Sequence, residues 1–249
     1  MKTRRYISRK IYKEGYSVEF GDVDTRLRMT PQRLLTLVEL RNARHVEFCK
    51  MGNPSISHLN LVWVIARLKA IFIEDVKCDH EISVVTLAGK VRKIFYPRYT
   101  LIKDEEGNDL ARVNIVWSLF DIKNRRISFF DVRKTGDAPI ESEEELVEFP
   151  SKLEVFEPTD SFKYTPRYHD FDSNGHVNNM KYLDWIYDYL GMDYIVNHRL
   201  KELQIDFYQE IREFKEVLVE LRIENDLVKA QIKNDGNIVV SLVLDFVAI

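Results

Sequence analysis

The sequence predicts an α+β protein built from two copies of one unit, each an antiparallel sheet wrapping a long central helix. Internal repetition is the first observation behind that expectation. Shifting the numbering by 148 places Tyr16 on Tyr164, Phe20 on Tyr168, Asp22 on Asp170 and Asp24 on Asp172. A shift of 135 then places Leu68 on Leu203, Phe72 on Phe207, Asp75 on Glu210, Glu81 on Glu216 and Val84 on Val219. The change of shift shortens the second copy by about 13 residues after its helix, a difference that a loop absorbs. The second observation is that in both copies the hydrophobic pattern passes from helical spacing to strand alternation.

In the first copy, Thr30-Pro31 reads as N-cap and first helical residue, followed by Leu34, Leu35 and Val38 on one face. Residues 61–72 and 82–87 are rich in β-branched and aromatic side chains, and residues 94–102 add another extended segment. Ala111, Val113, Ile115, Trp117 and Leu119 then alternate with polar residues after a turn at Glu105-Glu106-Gly107-Asn108. In the second copy, Tyr182, Leu183 and Ile186 give the helix, with Asn178 and Asn179 as capping residues. Strands are expected over 203–208, 217–224, 227–233 and 238–248, the last two joined by the hairpin turn Asn234-Asp235-Gly236-Asn237. Residues 1–135 are read as the first domain, 136–160 as an acidic Gly- and Pro-containing linker with a short helix over 143–147, and 161–249 as the second domain.

Composition narrows the function. With 45% hydrophobic and 12% aromatic residues in 249, the chain can bury real cores and is not dominated by disorder. The N-terminal residues run straight into charged sequence without an apolar leader, and no apolar run approaches the ~20 residues needed to span a bilayer. Cys49 and Cys78 form neither a close metal-binding pair nor a disulfide framework, and a cytoplasmic location is expected. The six histidines show no metal-ligand spacing, and the chain has no phosphate-cradling glycine loop and no Gly-x-Ser-x-Gly elbow. No metal, no cofactor and no nucleic acid is therefore expected. The net charge of −3 conceals a surplus of nine positive charges in residues 1–137 and of twelve negative charges in 138–249. A basic first half could steer an acidic partner, and uneven surface solvation would look the same.

Chemistry concentrates in Asp172-Ser173-Asn174-Gly175-His176-Val177-Asn178-Asn179, where a loop runs into the second helix. Asp172, Asn174 and His176 stand at i, i+2 and i+4, so in an extended approach their side chains share a face and can converge on one small volume. The first copy carries Asp24, Arg26 and Arg28 at the matched positions, so only the second copy holds an amide and an imidazole. A lone histidine near a helix start is more often structural or solvated, and this spacing shifts that balance without reversing it. Glu210 is the other candidate, either a partner for His176 or a strand-end carboxylate in water. A carboxylate facing an imidazole can act as general base on water near neutral pH.

The 172–179 motif, followed by Tyr182 and Trp185, resembles the most specific signature of the acyl-acyl carrier protein thioesterases of the tandem hotdog type, shared by plant plastids and bacteria. Trp63-Val64-Ile65-Ala66-Arg67-Leu68 and the hairpin around Gly107 fit the same family, and the likeness runs from about Tyr12 to the C-terminus. The resemblance implies two hotdog domains and hydrolysis of fatty acyl thioesters carried on acyl carrier protein. By the same analogy Asp172, Asn174, His176 and Glu210 form the catalytic set, with Glu210 falling 34 positions after His176 as in relatives. Plant members carry a cysteine right after this glutamate, whereas this chain has Ile211, so a thiol nucleophile there is ruled out and the carboxylates must carry the reaction. The first half is then free to set acyl specificity, and Arg41, Arg44, Lys90, Arg92, Lys93 and Arg98 are the expected contacts for an acidic carrier protein. A hotdog acyl-CoA thioesterase and a non-catalytic acyl-binding or regulatory protein are the competing readings, and the protein is expected as a monomer or a homodimer.

Overall fold

The structure is a computed structural model that describes residues 5–249. The chain divides into two compact units, Met1–Phe149 and Pro150–Ile249.

The first unit begins with two short strands, β1 (Arg5–Ile7) and β2 (Tyr12–Ser17), which lead to the helix α1 (Pro31–Phe48). Thr30 caps α1 by accepting the Arg33 N–H on its hydroxyl, and Pro31, which has no N–H to satisfy, occupies the first position. Leu34, Leu35, Leu37, Val38, Arg41, Asn42 and His45 make the buried face, at the i, i+3, i+4, i+7 spacing of a helix packed on one side. A one-turn helix, α2 (Asn53–Ile56), precedes the long strands β3 (Leu61–Phe72), β4 (Glu81–Ala88), β5 (Tyr96–Lys103) and β6 (Asp109–Asp121), with a two-residue β7 (Arg126–Ile127) beside β6. The order β1-β2-β4-β5-β6-β3 is antiparallel throughout. The fully buried Leu68, Ile102, Ile115 and Leu119 carry its interior face, and Leu35 and Val38 of α1 are buried as completely.

The second unit repeats the plan in fewer residues. Strand β8 (Asp160–Tyr164) leads through a loop to α3 (Lys181–Leu190) and α4 (Met192–Asn197), followed by β9 (His198–Phe207), β10 (Val217–Glu224), β11 (Leu227–Asn234) and β12 (Asn237–Ala248). The strand order is β9-β12-β11-β10-β8, again antiparallel. Tyr182, Leu183, Trp185 and Ile186 bury one side of α3, and Leu203, Ile205, Val219, Leu221 and Leu244 are buried on the strands.

The duplication is visible at the level of single hydrogen bonds. Tyr16 donates its hydroxyl to Asp22 Oδ2 at 2.7 Å, and Tyr164 does the same to Asp170 Oδ2 at 3.0 Å. The Asp24 N–H donates to the Arg28 carbonyl at 2.8 Å, as the Asp172 N–H does to the His176 carbonyl at 2.9 Å. The Met29 N–H reaches the Val76 carbonyl at 2.6 Å and the Val177 N–H the Ile211 carbonyl at 2.8 Å, which follows the 135 shift. Even the left-handed turn position is shared, with φ of +58° at Leu27 and +74° at Gly175.

Four expectations from the sequence need correction. The second helix is not one long rod: the chain turns at Gly191, in a positive-φ conformation open to glycine, and resumes as the single-turn-and-a-half α4. Met180, not Asn178 or Asn179, is the N-cap of α3; the Asn178 side-chain oxygen instead accepts the Met180 N–H at 2.9 Å, one step before the helix. No helix forms over 143–147, where Glu145 uses its carboxylate to accept from the Phe149 N–H and from Arg92. Two of the basic residues expected at a docking surface are interior: Arg41 is buried in an ion pair with Glu14, and Arg98 is buried against Asn42 and His45. Arg44 pairs with Glu14 and Arg92 with Glu145, and both stay exposed, as do Lys90 and Lys93.

Arg98 belongs to a polar network inside the first unit. Asn42 Oδ1 accepts from Arg98 Nε and from Thr86 Oγ1, each at 2.9 Å, while Asn42 Nδ2 donates to the Val38 carbonyl at 2.9 Å. His45 donates Nε2–H to the Ser8 carbonyl at 2.9 Å and accepts from Arg98 on Nδ1, so the imidazole is held neutral. Burial first, and then the Arg98 cation, push its pKa down to about 3.

Candidate active site

The loop between β8 and α3 is a tight, self-bonded turn. Asp170 anchors its start by accepting the Arg167 N–H at 2.7 Å as well as the Tyr164 hydroxyl. The Gly175 N–H then closes back onto the Asp172 carbonyl at 3.1 Å, and the paired Phe171 and Val177 bring the two arms together. Gly175 at positive φ lets the chain reverse between Asn174 and His176, so both side chains stay beside Asp172.

Asp172 is the hub of this turn. Its Oδ1 accepts the Asn174 N–H at 2.8 Å and its Oδ2 accepts from Asn174 Nδ2 at 3.3 Å. His176 Nδ1 lies 3.4 Å from the same Oδ2 and 3.4 Å from the Val177 carbonyl, two acceptors that favour the tautomer protonated on Nδ1. The other ring nitrogen, Nε2, faces Glu210 Oε1 across 3.7 Å. Glu210 follows the end of β9, and the bond from the Val177 N–H to the Ile211 carbonyl pins that segment to the loop. Arg212 holds the second Glu210 oxygen, Oε2, through Nη2 at 2.6 Å and Nε at 3.0 Å. The buried Ile211 lies between these two exposed polar residues and belongs to the core.

The structure thus brings together all four residues singled out in the sequence, and all four lie in the second unit. At the matched place in the first unit, Arg28 occupies the His176 position and pairs with Asp24 at 2.9 Å. An arginine so placed is a permanent cation and cannot exchange a proton near neutral pH. Tyr182 is buried beside this set, and burial, then the charges of Glu210 and Asp172, raise its pKa well above the ordinary phenol range. The N–H groups of Val177, Asn178, Met180 and Lys181 at the start of α3 are already bonded within the protein. Asn174 Nδ2 donates to Asp172 Oδ2 and carries a second proton.

Among the described residues no group of three or more His, Cys, Asp or Glu side chains is arranged to hold a metal ion, and no helix is long and apolar enough to cross a membrane. Arg212 was not read from the sequence. The signal available was its i+2 spacing from Glu210, which in an extended segment puts two side chains on one side.

Comparison with known proteins gives a consistent picture. The family model of the acyl-ACP thioesterase N-terminal domain matches residues 9–132, and that of the acyl-ACP thioesterase C-terminal domain matches residues 154–245. The chain is 22% identical over 214 residues to a chloroplastic palmitoyl-acyl carrier protein thioesterase of Arabidopsis thaliana, covering 80% of this chain and 52% of that protein. It is 25% identical over 218 residues to a chloroplastic oleoyl-acyl carrier protein thioesterase of Coriandrum sativum, covering 80% and 59%. The chain thus spans about half the length of the curated relatives it matches. Among solved structures, an acyl-ACP thioesterase from Bacteroides thetaiotaomicron superposes with a TM-score of 0.85 at 21% identity, over 97% of this chain and 100% of that one. A 12:0-ACP thioesterase from Umbellularia californica superposes with a TM-score of 0.84 at 17% identity, over 96% and 98%. These likenesses establish the tandem hotdog fold.

Proposed function

The chain belongs to the acyl-ACP thioesterase family, and on that premise we propose that it hydrolyses the thioester of a fatty acyl chain carried on acyl carrier protein, releasing free fatty acid. One observation carries the proposal: Asp172, His176 and Glu210 form a carboxylate–imidazole–carboxylate series, and the 3.7 Å between His176 Nε2 and Glu210 Oε1 separates two acceptors. A water about 2.8 Å from both would satisfy the two with its two protons, which is a normal hydrogen-bond distance. Its oxygen lone pair would then be free to attack a carbonyl carbon.

In the reaction we infer, His176 Nε2, with Glu210 Oε1 holding the other water proton, accepts one water proton and becomes an imidazolium as the oxygen bonds to the thioester carbon. Negative charge develops on the carbonyl oxygen, where the second proton of Asn174 Nδ2 can meet it. Collapse of the tetrahedral intermediate breaks the C–S bond, and the imidazolium returns a proton to the departing sulfur. Asp172 holds His176 in its working tautomer, because both Asp172 oxygens are already engaged by Asn174 and His176. That engagement favours water activation over direct attack by Asp172, which would need a free oxygen at the substrate carbon.

The first unit carries an arginine in place of the imidazole at its matched loop, and we assign it to acyl recognition. Among the basic residues weighed for carrier-protein contact, Arg44, Lys90, Arg92 and Lys93 are exposed and are the ones proposed to meet the acidic carrier. With such a substrate, we infer that the enzyme works in the cytoplasm, beside the machinery that builds acyl chains.

The proposal is tested by assaying fatty acid release from a series of acyl carrier protein thioesters of increasing chain length, beside the coenzyme A thioesters of the same chains. Preferential turnover of the carrier-protein series is expected. Equal or faster turnover of the coenzyme A series would make the protein an acyl-CoA thioesterase, and acyl binding without release would make it a non-catalytic acyl-binding protein.

A further inference from the structure

Arg212 sits outside the four-residue set yet touches two of its members. Nη2 and Nε both donate to Glu210 Oε2, at 2.6 and 3.0 Å, while Nη1 points at the Asn174 carbonyl at 3.5 Å. The guanidinium thus takes one carboxylate oxygen and leaves the other, Oε1, turned toward His176 Nε2. A glutamate has three rotatable bonds, and Glu210 is 44% exposed, so little else restrains it. Its neighbour Ile211 fixes the backbone by burial and by the bond from the Val177 N–H, but a backbone anchor does not choose the carboxylate's orientation.

We propose that Arg212 is a positioning residue for the hydrolysis: it clamps Glu210 Oε2 so that Oε1 faces His176, and it ties the end of that segment to the Asn174 turn. The inference rests on the hydrolase reading above. A planar fork donating through two nitrogens fixes direction as well as distance, which a lysine ammonium cannot reproduce. The clamp is solvent-exposed and contributes little to fold stability, so its effect falls on the geometry of the reacting groups.

The experiment compares wild type, Arg212→Ala, Arg212→Lys, Glu210→Gln and the Arg212→Ala/Glu210→Gln pair, using the acyl carrier protein thioester that the wild type turns over best. Arg212→Ala is expected to lower kcat about 10- to 100-fold, the scale of a modest misplacement of a reacting group, with KM within about twofold and an unchanged Tm. Arg212→Lys should recover only part of the loss. Added guanidinium ion should restore Arg212→Ala severalfold while leaving Glu210→Gln unmoved. In the Glu210→Gln background the arginine substitution should cost nothing further, because the group it positions has lost its function. An Arg212→Ala enzyme with wild-type kcat, or one whose loss is confined to KM and persists unchanged in the Glu210→Gln background, would overturn the inference and leave the hydrolase reading standing. A wild-type protein that releases no fatty acid would remove that reading, and the inference with it.

Discussion

His176 Nε2 lies 3.7 Å from Glu210 Oε1, although 34 positions and the whole of α3, α4 and β9 separate them in the chain. The loop before α3 supplies the imidazole and the segment after β9 supplies the carboxylate. The bond from the Val177 N–H to the Ile211 carbonyl sets the two side by side. A pair assembled this way responds to any change in either segment.

Removing individual members should therefore separate their roles. Glu210→Gln and His176→Ala are expected to reduce kcat by about 10²- to 10⁴-fold, the usual contribution of a positioned acid or base. Asn174→Ala should cost about 10²- to 10³-fold, the range for one oxyanion donor. Glu210 is 44% exposed, so its variant should keep the wild-type melting temperature, which calorimetry checks alongside the rates.

The orienting role proposed for Asp172 predicts the fate of solvent oxygen. In a single turnover in water enriched in heavy oxygen, the label should enter the fatty acid and not the protein. Label in Asp172, found by mass spectrometry of the peptide, would instead mark an acyl-aspartate intermediate.

Thiol reagents should leave the enzyme active. Cys49 is completely buried, and burial pushes its thiol pKa up, so it is a poor nucleophile. Both cysteines lie in the first unit, and Glu210 is followed by Ile211, which has no thiol. Iodoacetamide treatment that abolished turnover would place a thiol in the mechanism after all.

The first unit should carry an acid-sensitive core. His45 has a folded-state pKa of about 3 against 6.5 for the free side chain, so below pH 6.5 the unfolded chain binds a proton that the folded one refuses. Stability contributed by the neutral imidazole is thus present above pH 6.5 and is lost as pH falls toward 3. The loss between pH 7 and 5 should be about 2 kcal/mol. Denaturant titrations across this window should show the slope in the wild type and lose it in His45→Gln; a slope shared by both would assign it elsewhere.

Much of this was legible in the sequence, for physical reasons that differ from element to element. The duplication could be read because side chains with fixed partners repeat, as Tyr16 and Asp22 do in Tyr164 and Asp170. Strands such as β3 and β10 fall where the β-branched runs place them, since burial on one face imposes alternation. The break at Gly191 was missed because a glycine after an apolar run can end a helix or merely interrupt it, and only packing decides. Arg98 was misread as a surface cation: a lone arginine in a strand does not reveal that Asn42 and His45 wait for it on a helix more than fifty residues earlier. At the site, the i, i+2, i+4 spacing identified the loop residues, but the Arg212 clamp depends on side-chain direction, which spacing only hints at.

Release of free fatty acid from acyl carrier protein thioesters, measured side by side for wild type and Glu210→Gln, tests the central claim most directly. Rapid release by the wild type and a loss of at least about 100-fold in the variant are predicted. Wild-type rates in Glu210→Gln would contradict the account, as would a wild type inert toward the whole series.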